Sequence, residues 1–346
     1  MNTTKKLCFS SDYMEGCHPE ILKRLGETNM VQTPGYGTDD YCESARDKIR
    51  LACHAPEAEI HFFVGGTQIN AVVIDGLLAR YEGVIAADTG HVSLHEAGAI
   101  EYCGHKVLTI PHQNGKITAA QVTDFMENFH NDLNHEHMVH PGMVYISHPT
   151  EYGTLYSKDE LRALRECTEK YGLSLYVDGA RLAYALACPT NDVTLADLCA
   201  LTDAFSIGGT KCGALFGEAC VFPKPNTVPH FFTIIKQHGA LLAKGRILGI
   251  QFEAFFTHDL YEKIGRNAIV AADRIRRTLT EKGYTLAIPS PTNQIFVLLR
   301  NEQVTTLSEK IEMGFWETYD DTHTVMRIAT SWATQEEDVD ALLALL

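Results

Sequence analysis

Between about residues 50 and 240 the chain alternates short, almost wholly apolar runs with stretches of helical periodicity, and this alternation narrows its fold more than any other feature. The apolar runs fall at 60–64, 83–87, 106–110, 143–147, 173–177 and 204–207, and helices are predicted over 41–53, 68–81 and 158–171. Strands apolar on both faces must be covered on both faces, and parallel neighbours need long crossovers. The pattern therefore predicts an α/β fold with a central mixed or parallel sheet. Past residue 240 the rhythm changes: a long helical stretch over 242–279, a strand at 294–299, a helix at 304–313, a strand at 324–328 and a closing helix at 336–346 predict a smaller α+β domain. The expected division is a large α/β domain over 1–250, its N-terminal segment partly packed on the small one, and a small domain over 251–346.

Composition removes several function classes. At 346 residues the chain has room for about two domains. Apolar residues make up 45%, but no run reaches the ~18 apolar residues of a membrane span. Lys and Arg number 29 against 44 Asp and Glu, and the net charge of −15 argues against nucleic acid and anionic membrane surfaces as partners. Glu and Asp interrupt the first thirty residues, which leaves no signal-peptide core there and predicts a cytoplasmic protein. Ten cysteines without a CxxC pair read as reduced and mostly packed. There is no internal repeat or low-complexity tract.

Three sites carry chemical signals. The stretch FFVGGTQIN at 62–70 is a strand, two glycines and a helix start, which can hold an anion through free backbone N–H groups, though such text also serves as a plain turn and cap. With neither GxxxxGK[ST] nor GxGxxG anywhere, a small phosphate ester is the functional option, and a dinucleotide-dependent dehydrogenase is disfavoured. In LSLYVDGAR, Asp178 stands at the carboxyl end of a buried strand, the edge that lines the ligand crevice in doubly wound sheets. Thirty-three residues on, Lys211 sits in GGTKCG after another strand, one crossover unit away. A phosphate-holding helix start, a strand-end Asp and a strand-end Lys together describe pyridoxal 5′-phosphate chemistry: lysine as Schiff-base amine, aspartate on the ring nitrogen, helix terminus on the phosphate.

The text also resembles a family. FSSDYMEGCHP at 9–19, YGTDD at 36–40, GGTQIN at 65–70, TGHVSLHEAG at 89–98, TEYGTLY at 150–156, VDGARL at 177–182, SIGGTKCG at 206–213 and RIATSWATQEEDVD at 327–340 are similar, in order, to the threonine aldolase (β-eliminating lyase-like) family of fold-type I pyridoxal-phosphate enzymes. The resemblance implies that fold, with Lys211 as the Schiff-base lysine, Asp178 on the ring nitrogen, Arg181 on the phenolic-oxygen side, Gly66 and Thr67 on the phosphate and His91 stacked on the ring. It implies that Ser11 and Arg327 hold the substrate carboxylate. Tyr36 and the segment 236–246 correspond to parts supplied by a neighbouring subunit, so a homodimer or homotetramer with shared sites is expected.

In one place the chain departs from the pattern. Many members have Thr-His-Asn where this chain has Thr150, Glu151 and Tyr152, a variant that resembles the branch holding phenylserine-type aldolases. Glu151 then becomes the candidate group near the substrate hydroxyl, as a base or to orient a water, beside His91. The expected reaction is reversible cleavage of a β-hydroxy-α-amino acid (L-threonine, L-allo-threonine or a phenylserine-like compound) to glycine and an aldehyde. The alternatives are another fold-type I reaction, β-elimination or transamination, and a noncatalytic relative. His130, His135, His137, His140 and His148 crowd within nineteen residues, but without HExxH or CxxC they read as an exposed crossover, and no metal is expected.

Overall fold

The computed structural model describes residues 6–346. In chain order its strands are β1 (Leu7–Phe9), β2 (Glu59–Phe63), β3 (Glu82–Ala87), β4 (Val107–Ile110), β5 (His140–Ser147), β6 (Ser174–Asp178), β7 (Ala204–Gly208), β8 (Glu218–Phe222), β9 (Thr285–Leu286), β10 (Gln294–Arg300), β11 (Ile311–Thr318) and β12 (His323–Ala329). Seven form the central sheet in the order β2-β8-β7-β6-β5-β3-β4, and all neighbours are parallel except at β8, which runs against both β7 and β2. Helices cover both faces, so β3, β7 and β8 are buried nearly throughout, as their apolar text demands.

Helix 158–171 lies where its periodicity predicts. Ser157 and Glu160 form a reciprocal capping box at its start, and left-handed Gly172 ends it. Two expectations for the later part are corrected. The long helical stretch is three helices, Arg246–Phe255, Leu260–Ile264 and Arg266–Glu281, divided by Asp259 at φ 57° and by Gly265, where a Cβ would lie 2.3 Å from the Ala183 carbonyl oxygen. The predicted helix over 304–313 is instead a helix Asn301–Ser308 followed by β11, because Ile311, Glu312 and Met313 pair in parallel with Leu7, Cys8 and Phe9 of β1.

The smaller sheet has the order β1-β11-β12-β10-β9, antiparallel except where the N-terminal β1 joins β11. This pairing carries Ser10, Ser11 and Asp12 to the junction of the two sheets. Helices Arg266–Glu281 and Glu336–Leu345 bury Ala272, Ile275, Leu279 and Leu342 against its strands. No helix among the described residues is long and apolar enough to cross a membrane.

Candidate active site

Parallel pairing brings the carboxyl ends of β5, β6 and β7 side by side. Ser147 stands opposite Asp178, and β7 pairs with β6 one register step earlier. The turns after β6 and β7 interlock so closely that a Cβ on Gly208 would lie 2.3 Å from the Ala180 carbonyl oxygen, so glycine is required there. Lys211 rides the short connection from β7 to antiparallel β8, which is tied down by the N–H groups of Gly209 and Thr210 donating to the Gly217 carbonyl. The Tyr184 hydroxyl fixes the Lys211 carbonyl at 2.6 Å.

Lys211 lines a cavity of about 710 Å³ together with Thr89, His91, Glu151, Arg181 and Arg327. Its amine has no hydrogen bond or ion pair among the described residues. Burial and then the charge of Arg181 pull it below its ordinary range, against the opposing carboxylates of Asp12, Asp178 and Glu218. An unpartnered amine with a depressed pKa is poised for covalent chemistry.

Asp178 is buried at the end of β6. Its Oδ2 accepts from Asn70 Nδ2 at 2.9 Å and from the Tyr145 hydroxyl at 2.7 Å, and its Oδ1 accepts from the Ala180 N–H at 2.9 Å. Burial alone would raise its pKa, but His91, these donors and Lys211 outweigh it and hold the carboxyl below the usual range. Asp178 therefore stays ionised, and it does not cap the next helix, whose N-cap is Arg181.

His91 Nδ1 lies 2.7 Å from Glu96 Oε1, which also accepts from Asn70 at 2.7 Å. The His91 backbone N–H donates to Glu151 Oε1 at 2.9 Å, and the Ser147 hydroxyl donates to the same oxygen at 2.6 Å. Burial raises the Glu151 pKa, partly countered by Ser147, its own backbone and His91. A carboxyl with a raised pKa holds a proton more readily than an exposed one and is suited to proton exchange.

Arg181 is held by Asp12 as a bidentate pair, Nε to Oδ2 at 2.6 Å and a terminal nitrogen to Oδ1 at 3.0 Å, with Asn293 also donating to Oδ2 at 2.9 Å. Arg327 reaches across β11 above Gly314, where a Cβ would sit 3.3 Å from its Nε. Its terminal nitrogens donate to Gln294 at 3.1 Å and to the Ser10 carbonyl at 2.9 Å, while Nε stays unpaired. Ser11 Oγ and Thr89 Oγ1 are likewise buried without a partner. Native interiors rarely leave such groups unsatisfied, so the cluster marks room for a polar ligand. A bulge in β11 between Phe315 and Glu317 turns three successive residues, Phe315, Trp316 and Glu317, onto the same cavity wall.

Gly66 and Thr67 begin the helix Gly66–Leu77, with Gly65 as an N-cap that offers no side-chain bond. A Cβ at Gly65 or Gly66 would meet nothing within 4 Å, which leaves the first N–H groups open to an anion. One turn further, Asn70 ties this helix to Asp178. A phosphate on the helix start, an aldehyde at Lys211 and a ring nitrogen at Asp178 therefore fit the residues present. Neither Gly66, Thr67, Ser11 nor Tyr36 lines the cavity itself. Tyr36, at φ 61°, lies in a separate groove with Arg46, His61 and Leu248, its ring 4.6 Å from the Lys236 amine.

The histidine-rich segment needs one correction. His148 is no exposed crossover residue: it is fully buried after β5, accepts from the Tyr156 N–H, and contacts Asn191 Oδ1 at 3.2 Å. Among the described residues no group of three or more His, Cys, Asp or Glu has an arrangement that could hold a metal ion. The sequence reading missed Asp12, Asn70, Glu96, Tyr145 and Ser147. Asn70 was the most findable, a lone amide in the otherwise apolar run INAVVI.

The family model of the β-eliminating lyases matches residues 9–313. A low specificity L-threonine aldolase of Pseudomonas aeruginosa is 30% identical over 308 residues, covering 86% of each chain. A solved structure of Leishmania major threonine aldolase matches with a TM-score of 0.94 at 42% identity, covering 98% of each chain. The fold alone extends to the aspartate aminotransferase of Thermus thermophilus, at 13% identity and a TM-score of 0.71 over 98% of this chain and 90% of that one.

Proposed function

The chain belongs to the β-eliminating lyase family, and on that footing we propose that it is a pyridoxal 5′-phosphate-dependent carbon–carbon lyase that cleaves L-threonine, L-allo-threonine or a phenylserine-like relative to glycine and the matching aldehyde. The observation that carries this reading is the unpartnered Lys211 amine sharing a cavity with Arg327 and Glu151, with the ionised carboxylate of Asp178 behind it.

Lys211, Asp178, Arg181, His91 and the helix start at Gly66 and Thr67 would hold the cofactor. Bound there, it supplies an electron sink for the breaking Cα–Cβ bond. The free Nε of Arg327 and the free hydroxyl of Ser11 would take the substrate carboxylate and so fix which bond at Cα stands ready to break. Asp178 keeps its negative charge and would hold a proton on the ring nitrogen. Glu151, its pKa raised by burial and its carboxyl oriented by Ser147 and the His91 N–H, would accept the β-hydroxyl proton as the aldehyde leaves. His91, fixed by Glu96, would lie against the ring face. The separation of the Tyr36 groove from the Lys211 cavity supports delivery of Tyr36 to the cavity of a second copy, in a dimer or tetramer.

Replacing Lys211 by Ala tests the reading. The variant should lose both the visible absorbance of protein-linked cofactor and aldehyde release from threonine, and normal turnover would overturn the assignment. Aldehyde release from L-threonine, L-allo-threonine and phenylserine, measured separately, ranks the substrates.

A further inference from the structure

We infer that Ser147 is a positioning residue that couples the charge of Glu151, beside the substrate hydroxyl, to the carboxylate of Asp178, which faces the cofactor nitrogen. This deepens the reading above and rests on it for the roles of the two carboxylates.

The coupling follows from the pleat of β5. Tyr145 and Ser147, two residues apart, point to one face of the strand, and Ser147 is in register with Asp178 on β6. The Ser147 hydroxyl has one hydrogen and two neighbours, Glu151 Oε1 at 2.6 Å and the Tyr145 oxygen at 3.3 Å. Tyr145 in turn donates its hydrogen to Asp178 Oδ2 at 2.7 Å. While Glu151 is ionised, the short contact claims the serine hydrogen and Tyr145 accepts nothing from it.

When Glu151 takes up the proton released by the substrate hydroxyl, it becomes a donor. The serine oxygen can then accept from it, and the serine hydrogen turns to the Tyr145 oxygen. A phenol that accepts a hydrogen bond donates more strongly, so the bond to Asp178 tightens as Glu151 is neutralised. The proton count balances: one proton enters at Glu151, and each later change is a hydroxyl rotation.

Other titratable and charged groups act on Glu151 or share its cavity. His91 begins the short helix after β3 and His95 follows it, Asp178 lies on β6, Glu317 on β11, Arg327 on β12, and Lys211 follows β7. Among the described residues the Ser147 hydroxyl bonds none of these, only Tyr145 and Glu151.

The test compares the cofactor-loaded protein with Ser147→Ala, Ser147→Thr and Tyr145→Phe. Two quantities are followed against pH: the infrared band of the protonated Glu151 carboxyl, assigned by difference from Glu151→Gln, and the visible absorbance of bound pyridoxal phosphate. In the unaltered protein both should titrate together. Ser147→Ala should raise the Glu151 titration by about 1 pH unit, since it removes a donor to the ionised form, and the visible band should no longer follow. Tyr145→Phe should also uncouple the visible band while Glu151 still titrates, and Ser147→Thr should restore the joint titration. A visible band that tracks Glu151 equally well in Ser147→Ala and Tyr145→Phe, or one that never tracks it, overturns the proposal. If the protein binds cofactor but releases no aldehyde from threonine, the aldolase reading fails while the coupling measurement stands.

Discussion

The side-chain amide of Asn70 spans two buried carboxyl groups, giving one hydrogen to Asp178 at 2.9 Å and the other to Glu96 at 2.7 Å, while its own oxygen accepts from Tyr176 at 2.8 Å. Every hydrogen-bonding atom of the amide is in use. The bridge ties Asp178, the group proposed to face the cofactor nitrogen, to Glu96, which orients His91, and it does so from the first turns of the helix that begins at Gly66.

Replacing Asn70 by Leu, similar in size, should therefore destabilise the protein by about 1–3 kcal/mol, because two buried acceptors each lose a donor. Cofactor affinity should fall as well. Denaturant unfolding of the cofactor-free protein and spectrophotometric cofactor titration check the two effects separately.

Arg327→Lys keeps the charge but loses the planar fork that now spans Gln294, the Ser10 carbonyl and the free Nε. The KM for the amino acid should rise ten- to a hundredfold, the equivalent of about 1.4–2.8 kcal/mol of binding. The melting temperature should move little, since backbone pairing of β12 with β10 and β11 holds the smaller sheet together. An unchanged KM in steady-state assays would place the substrate carboxylate elsewhere.

Glu218 is buried where β8 begins, with the Gly209 N–H donating to its Oε2 at 2.9 Å, and burial pushes its pKa from 4.5 to about 7 despite Thr210, Gly209 and Lys211. Between pH 4.5 and about 7 the unfolded chain has released this proton while the folded chain still holds it, so this group makes stability fall as pH rises. Glu218→Gln should match the unaltered protein near pH 4 and exceed it by up to about 3 kcal/mol at pH 8. His61 and His148, drawn down by burial to about 4, contribute the opposite slope between pH 4 and 6.5 in both proteins. The difference between the two stability curves therefore isolates Glu218, and parallel curves would rule out a buried proton there.

Much of this was readable from the order of residues. The strand ends at Asp178 and before Lys211 announce themselves because a doubly covered sheet must spell its strands in apolar residues and stop at small or polar ones. Glu151 stood out because it interrupts a family pattern. The antiparallel β8 did not stand out, since an apolar run carries no sign of direction. The first residues of β11, Ile311 to Met313, read as the end of a helix because so few positions fit either period. Asp12 lay in a motif that gave no hint of its partner, for Arg181 is 169 positions away.

By itself, then, the sequence determined the layered sheet, because local periodicity is written position by position, and its resemblance to a family put forward the cofactor class and Lys211, Asp178 and Arg327 as site residues. Only the tertiary structure decided which groups share a hydrogen. The link from Glu96 through Asn70, Asp178, Tyr145 and Ser147 to Glu151 joins four separate stretches of chain. A hydrogen bond forms or fails over a few tenths of an ångström, and that distance is set by strand register and helix packing rather than by any spacing along the chain.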